Sequence, residues 1–185
     1  MPTKYRPSAR LTPPAPLPEF ELPTMRGSTV SSADLQRGLA VLIFHRYAAC
    51  PLCASKMAEY LVRGEEIRHV RHVPIFHSPL EKMQRFIPKW DDYPFEVLYD
   101  PDKEVYAAFG VGESTLGLVH PGYVREKIAS KPFSEGRSPK DYDTTLKTLP
   151  GAFLVKDGTV VAVNYGRHWA DIWGVDQLLA QLEQL

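Results

Sequence analysis

The chain has 185 residues, 44% of them apolar, and its 22 basic and 22 acidic side chains leave no net charge at pH 7. This length and apolar content suit one compact domain with a substantial core. A neutral chain without a basic cluster argues against nucleic acid as a partner, and the apolar runs are too short to span a membrane. No apolar segment follows Lys4 and Arg6 as it does in a secretory signal, so we expect a cytoplasmic protein.

The first part of the chain is rich in proline. Its prolines within residues 1–19 are Pro2, Pro7, Pro13, Pro14, Pro16 and Pro18. This density predicts an extended arm, either poorly ordered or laid over the surface. We expect a single domain to occupy residues 20–185, beginning with a short strand at 20–22.

The two cysteines of the chain, Cys50 and Cys53, stand between a predicted strand and a predicted helix. The unbroken apolar run at 40–44 predicts a buried strand. Pro51 fits the first turn of a helix, because its missing N–H is not needed there. Beyond the motif, apolar residues recur with the helical period at Ala54, Met57, Ala58 and Leu61. A Cys-x-x-Cys that enters a helix from a buried strand is typical of a redox-active dithiol.

The position of Cys50 at the helix entry predicts its role. Unpaired backbone N–H groups and the positive end of the helix dipole favour a thiolate there, which lowers the thiol pKa. We therefore expect Cys50 to be the more exposed, lower-pKa nucleophile. Cys53, one turn further on, should be the more buried resolving thiol, and the two should form a reversible disulfide.

Two other interpretations of the cysteine pair stay open. Free cysteines are often plain core residues, although the strand–motif–helix context disfavours that here. The pair is also a candidate half of a zinc site, completed by histidines. His69 and His72 are closer together than the usual zinc spacing, and Pro74 separates His72 from His77. We therefore expect no metal and no cofactor.

Further along the chain, strand and helix patterns alternate. Residues 73–76 predict a second buried strand, although Pro74 is unusual in a central strand. A capping box at 78–81 starts a helix, and residues 95–99 predict a third strand. Another helix follows the turn at 100–102.

The last part of the chain contains a loop-rich insertion and a hairpin. Residues 112–145 hold several glycines and prolines, and so long a connection is usually functional or mobile. Two apolar strands around Asp157-Gly158 predict a hairpin, and an amphipathic helix follows. This order predicts an α/β fold, with a mixed central sheet and helices on both faces.

Four segments resemble one protein family. They are the opening segment at 16–31 with Pro16-x-Pro18-Glu19-Phe20, the strand-to-motif run at 44–53, the Asp-Pro-Asp turn and helix at 99–111, and the closing hairpin at 150–158. Together they resemble the thioredoxin-like superfamily, and within it the peroxiredoxin-like subgroup of the alkyl hydroperoxide reductase/thiol-specific antioxidant (AhpC/TSA) branch. The resemblance implies a thioredoxin-like fold.

The chain departs from the peroxidase site of that branch, which resembles Pro-x-x-x-Thr-x-x-Cys with an arginine on a later strand. Tyr47 stands where the threonine is expected, and the upstream proline is missing. Arg46 is a candidate to replace the arginine beside the thiolate, with an ordinary surface position as the alternative.

Pro150 matches the thioredoxin pattern instead. That resemblance implies a cis bond between Leu149 and Pro150, a place facing the cysteines, and a role for both residues in binding an extended substrate.

The resemblance implies an enzyme, and we expect a thiol–disulfide oxidoreductase. Cys50 attacks a disulfide in a protein or small molecule, Cys53 resolves the mixed disulfide, and an external thiol reductant regenerates the dithiol. One alternative is an antioxidant thiol peroxidase in which Cys50 becomes a sulfenic acid. Another is a non-catalytic module that binds a partner through the insertion.

Overall fold

A six-stranded mixed sheet forms the centre of the computed structural model, which describes residues 5–87, 93–116, 120–142 and 146–185. In spatial order its strands are β1 (Ala15–Pro16), β8 (Thr159–Tyr165), β7 (Gly151–Lys156), β4 (Leu39–Phe44), β5 (Val70–Phe76) and β6 (Leu98–Tyr99). Strands β4, β5 and β6 run parallel, whereas β7 is antiparallel to β4 and to β8. A separate antiparallel ribbon consists of β2 (Glu21–Pro23) and β3 (Thr29–Ser31).

Within these residues, five α-helices flank the sheet: α1 (Pro51–Val62), α2 (Leu80–Phe86), α3 (Glu104–Ala108), α4 (Pro121–Ala129) and α5 (Val175–Leu182). Alternate residues of β4 enter two cores, with Val41 and Ile43 on one face and Leu42 and Phe44 on the other. Residues of α1, α2 and α5 belong to the first core, and residues of α3 belong to the second. The predicted mixed sheet with helices on both faces is confirmed. In the described ranges, no helix is both long and apolar enough to cross a membrane.

Pro74 lies inside β5, although a proline is unusual in a central strand. It pairs in register with Ile43 of β4. The neighbour on the other side, β6, is only two residues long and pairs with Ile75 and Phe76. No residue of β6 therefore faces Pro74, and the strand tolerates its missing N–H. The strand predicted at 95–99 is correspondingly shorter than expected.

The described part of the proline-rich arm lies along the sheet edge. Leu17 N–H donates to Gly158 O at 3.1 Å, and Leu11 N–H donates to the Tyr165 hydroxyl at 2.7 Å. Between these contacts, Ala15 pairs with Val160. Of the two predicted states of the arm, the structure shows the one laid over the surface.

The loop-rich insertion contains more structure than its sequence suggests. Besides α4, its described part contains the short 3₁₀ turns Lys131–Ser134 and Pro139–Asp141. Both α4 and the first turn pack against α1. An isolated antiparallel bridge between Glu113 and Thr148 closes the base of the insertion.

Candidate active site

The cysteine motif lies where the sequence places it, at the start of α1. Cys50 is the N-cap residue, with extended backbone (φ −73°, ψ 116°). Its sulfur accepts a hydrogen bond from Cys53 N–H at 3.4 Å. A hydrogen bond holds the segment that leads into the motif: the Tyr106 hydroxyl donates to the carbonyl oxygen of His45 at 2.5 Å. The nucleophile position thus combines a helix N-terminus with a rigid approach.

Both cysteines are buried, each with 0% of its surface exposed. The expectation that Cys50 is the more exposed thiol is wrong. Both cysteines belong to the core on this face of the sheet, to which Tyr142 from the insertion and Ala170 from the segment after β8 also contribute. The two thiols are free rather than joined in a disulfide.

The environment of the two thiols separates their pKa values. Burial is the largest influence on Cys50 and opposes its thiolate. The hydrogen bond with the Cys53 thiol, the positive charge of Arg46 and the backbone N–H groups of Cys53 and Leu52 together outweigh burial, and they lower the pKa of Cys50 to about 6. Burial, followed by the hydrogen bond to Cys50, raises the pKa of Cys53 well above that of an ordinary thiol. This order is the one expected from the sequence.

Arg46 is buried beside the cysteine pair, with 2% of its surface exposed, so the alternative of an ordinary surface position is wrong. Its backbone N–H donates to Cys53 Sγ at 3.4 Å, and its Nε donates to Thr148 O at 3.1 Å. Its guanidinium carbon lies 4.3 Å from the centre of the Trp169 ring. Within the described ranges it forms no ion pair with a carboxylate, so its positive charge is left to act on the thiols.

Leu149 and Pro150 lie at the same end of the sheet as the motif, because β7 begins opposite Phe44. Among the residues that the structure describes, the one cis peptide bond is Pro13–Pro14, so the bond before Pro150 is trans and the expected cis bond is wrong. This segment is already paired within the chain. Leu149 N–H donates to Gly112 O at 3.0 Å, and Pro150 O accepts from Gly166 N–H at 2.9 Å.

Two residues of the site were not recognised in the sequence. Trp169 packs against Arg46, and Thr148 supplies the carbonyl that binds the Arg46 side chain. Both lie far along the chain from the motif, and the pairing of β7 with β4 brings that part of the chain to it. The available signal was weak: Trp169 is a large aromatic residue in the loop that follows β8.

His45 also lies next to the motif but belongs to the core. Its ring stacks on Phe76 with 4.6 Å between ring centres, and burial lowers its pKa to about 3. It is therefore neutral at physiological pH. Among the described residues, no three His, Cys, Asp or Glu side chains are grouped as a metal site requires.

The model of the AhpC/TSA family matches residues 13–163. The chain belongs to the AhpC/TSA family. The match includes β4, the cysteine motif and the closing hairpin, and it ends just before the segment that carries Trp169. No curated protein sequence matches significantly.

Solved structures with a similar fold include peroxidases and a disulfide oxidoreductase. The peroxidoxin BcpB from Mycobacterium tuberculosis is 21% identical, with a TM-score of 0.65 over 93% of this chain and 96% of that one. A thiol peroxidase from Chromobacterium violaceum is 11% identical, with a TM-score of 0.64 over 97% and 90%. A secreted M. tuberculosis disulfide oxidoreductase homologous to E. coli DsbE is 18% identical, with a TM-score of 0.55 over 90% and 96%. The fold is thus thioredoxin-like, as the resemblance implied.

Proposed function

We propose that this AhpC/TSA protein is a thiol–disulfide oxidoreductase that uses Cys50 as nucleophile and Cys53 as resolving thiol. The observation that carries the proposal is the position of both cysteines at the start of α1, where Cys50 is the N-cap residue and its sulfur accepts the Cys53 N–H. In this setting the pKa of Cys50 is lowered to about 6 and that of Cys53 is raised. A low-pKa thiol supplies the thiolate that attacks, and a high-pKa neighbour stays protonated until it is needed.

The proposed reaction transfers two electrons. The Cys50 thiolate attacks one sulfur of the substrate disulfide, and the other sulfur leaves as a thiolate that takes up a proton. Cys53 then gives up its proton and attacks Cys50 Sγ, which releases the second substrate thiol and leaves a Cys50–Cys53 disulfide. An external dithiol reduces that disulfide and returns the protein to its starting state.

Arg46 and the chain around Leu149 are the proposed substrate-binding groups. Arg46 lies beside both thiols and favours the negative charge that moves between sulfur atoms. The Leu149 N–H is already bonded to Gly112, and the Pro150 carbonyl to Gly166. This leaves the Leu149 carbonyl as the main-chain acceptor that a substrate strand could use. Because both cysteines are fully buried, a protein disulfide reaches Cys50 only after the cover over it moves.

A thiol peroxidase is the second candidate, and the burial of the dithiol favours it, since a small peroxide needs less room than a protein disulfide. In this reaction the Cys50 thiolate attacks the peroxide, forming a sulfenic acid and an alcohol or water. Cys53 then condenses with the sulfenic acid and releases water. Tyr47 occupies the place of the usual threonine, and its hydroxyl makes no hydrogen bond to a described residue.

A cavity beside the motif adds to the peroxidase candidate. It has a volume of about 250 Å³ and is lined mainly by apolar side chains, among them Ala48, Met57 and Phe86. Ala48 and Ala54 flank the cysteine motif in the chain, so this cavity is the place where we expect an apolar substituent of an organic peroxide to bind. As a thiol peroxidase, the protein would have an antioxidant role, which we place in the reducing cytoplasm.

Parallel assays of the full chain distinguish the candidates. Reduction of insulin with dithiothreitol as reductant tests the first function, and consumption of hydrogen peroxide and cumene hydroperoxide tests the second. The Cys50→Ser and Cys53→Ser variants serve as controls. Insulin reduction that depends on both cysteines supports the oxidoreductase. Activity on peroxide alone moves the assignment to the peroxidase, and inactivity in both assays leaves a non-catalytic module.

A further inference from the structure

Trp169 holds a position that the proposed chemistry has not used. It lies in the loop between β8 and α5, has 8% of its surface exposed, and faces the Arg46 guanidinium at 4.3 Å from ring centre to Cζ. Its indole Nε1–H donates to Ser114 O at 3.0 Å. The ring is therefore fixed at its edge by the insertion while its face covers the arginine.

The Arg46 guanidinium depends on few other partners. Its Nε bonds Thr148 O, and one terminal nitrogen bonds Leu146 O at 2.5 Å. Neither partner carries a charge, and in the described part of the chain no carboxylate pairs with Arg46. The face of a tryptophan attracts a guanidinium electrostatically, and this attraction is stronger where water is excluded. The guanidinium carbon lies 5.2 Å from the centre of the Tyr47 ring and 4.3 Å from that of Trp169, so Trp169 is the closer of these two aromatic faces.

We propose that Trp169 is a positioning residue: its indole holds the Arg46 guanidinium beside the cysteine pair and thereby sets the reactivity of Cys50. The inference rests on the proposed function in one respect, that Cys50 is the reacting thiol. It adds a residue outside the matched family segment to the machinery of the site.

The pKa of Cys50 can be measured without interference from the titratable groups around it. Arg46, Cys53 and Tyr47 interact electrostatically with it. Burial raises the pKa of Cys53 and of Tyr47, so neither titrates near neutral pH. Burial lowers the pKa of His168, which precedes Trp169. The thiol that titrates between about pH 5 and 8 is therefore Cys50.

The test is the pH dependence of Cys50 alkylation by iodoacetamide in the reduced full chain, with the modified residue identified by mass spectrometry. Trp169→Leu removes the aromatic face, and Trp169→Met does so while filling more of the space. Each should slow alkylation at pH 6 about fivefold and leave the rate at pH 9 unchanged, because Cys50 is fully ionised there. Trp169→Phe, which keeps an aromatic face, should restore most of the rate at pH 6.

Trp173 provides a matched control. It is the same residue type four positions later, is equally exposed at 8%, and belongs to the core around the cysteines. Trp173→Leu should lower the melting temperature as much as Trp169→Leu but leave the alkylation profile in place. An equal shift in both variants would mean general loosening of the core and would overturn the proposal.

The same experiment keeps the two hypotheses apart. If Cys50 of the unmodified protein titrates like an ordinary thiol, the basis of the proposed function is lost and the positioning role with it. If the unmodified protein has a reactive Cys50 and reduces insulin, but the Trp169→Met profile is unchanged, the positioning role alone is wrong. Should Trp169→Leu not fold, Trp169→Met decides.

Discussion

The backbone N–H of Arg46 donates to the sulfur of Cys53, with 3.4 Å between the two atoms. The side chain of the same arginine donates to the Thr148 carbonyl at the base of the insertion. One residue therefore fixes the resolving thiol through its backbone and supplies a buried positive charge through its side chain. Because only the second function depends on the side chain, substitutions at this position can separate them.

Replacement of Arg46 by methionine should raise the pKa of Cys50, since the positive charge that favours the thiolate is removed. Alkylation of Cys50 at pH 6 should slow about five- to tenfold, and turnover should fall with it. Arg46→Lys should recover part of the loss, because the charge returns without the planar group that stacks on Trp169. Arg37→Met, at an exposed arginine before β4, is the control and should change nothing.

The pH profile of the unmodified protein is a direct consequence of the lowered pKa of Cys50. The thiolate is the reactive form, so the alkylation rate should rise with pH and reach half of its plateau near pH 6, where the Cys50 pKa lies. The rate should then stay flat through neutral pH, since Cys53 remains protonated. A midpoint at the value of an ordinary thiol would contradict this assignment.

The two cysteine variants should differ in whether they form a covalent adduct with a disulfide substrate. Cys53→Ser leaves the attacking thiol in place but removes the group that resolves the mixed disulfide, so the variant should accumulate a covalent adduct with a disulfide substrate. Cys50→Ser should form none. Mass spectrometry of each variant after incubation with cystine shows the adduct and the residue that carries it. An adduct on Cys53 in the Cys50→Ser variant would reverse the two roles.

The Asp-Pro-Asp turn should matter for stability rather than for chemistry. The buried Asp100 carboxylate accepts hydrogen bonds from the backbone N–H groups of Glu104, Val105 and Tyr106 at 2.9–3.1 Å. Asp100→Asn removes the charge from this cap and should cost about 1–2 kcal/mol of unfolding free energy. Asp102→Asn, at an exposed position of the same turn, is the matched control. Denaturant unfolding compares the two, and Cys50 alkylation should be unaffected in both.

Pro150 should contribute little to turnover. The bond before it is trans, the Leu149 N–H already donates to Gly112 O, and the carbonyl of Pro150 itself already accepts from the Gly166 N–H. Pro150→Ala should therefore change insulin reduction by less than about twofold, because proline's missing N–H is not what shapes the site. A large loss of turnover at unchanged stability would instead favour the substrate groove that the sequence suggested.

Local signals in the sequence were enough to predict the strand, the helix start and the cysteine pair that form the site. The apolar run of β4, Pro51 in the first helical turn and the spacing of the cysteines each act over a few residues, and all three are found as predicted. The order of the two thiol pKa values is also the one predicted, although burial, the hydrogen bond between the thiols and the charge of Arg46 contribute more to it than the backbone N–H groups of the helix. The division into an arm at 1–19 and a domain at 20–185 stays a prediction.

What the sequence did not reveal depends on contacts between distant segments. Cys50 is buried in a core to which the insertion and the loop after β8 both contribute residues. The position of Arg46 depends on Thr148 and Trp169, more than 100 residues away. Periodicity and capping describe one element at a time, so they cannot show which loop will cover a helix end.

The proline-rich arm also affects how this molecule meets other copies of itself. An uncovered outer strand offers a row of unpaired N–H and C=O groups to which another chain can bind, and β8 would be such a strand. Ala15 and Pro16 of the arm pair with Val160 and Thr159 and so cover the first part of that row. Since Pro13, Pro14 and Pro16 have no N–H of their own, the arm covers the edge without creating a new one. A variant that lacks residues 1–19 should therefore associate through β8 and lose solubility on storage.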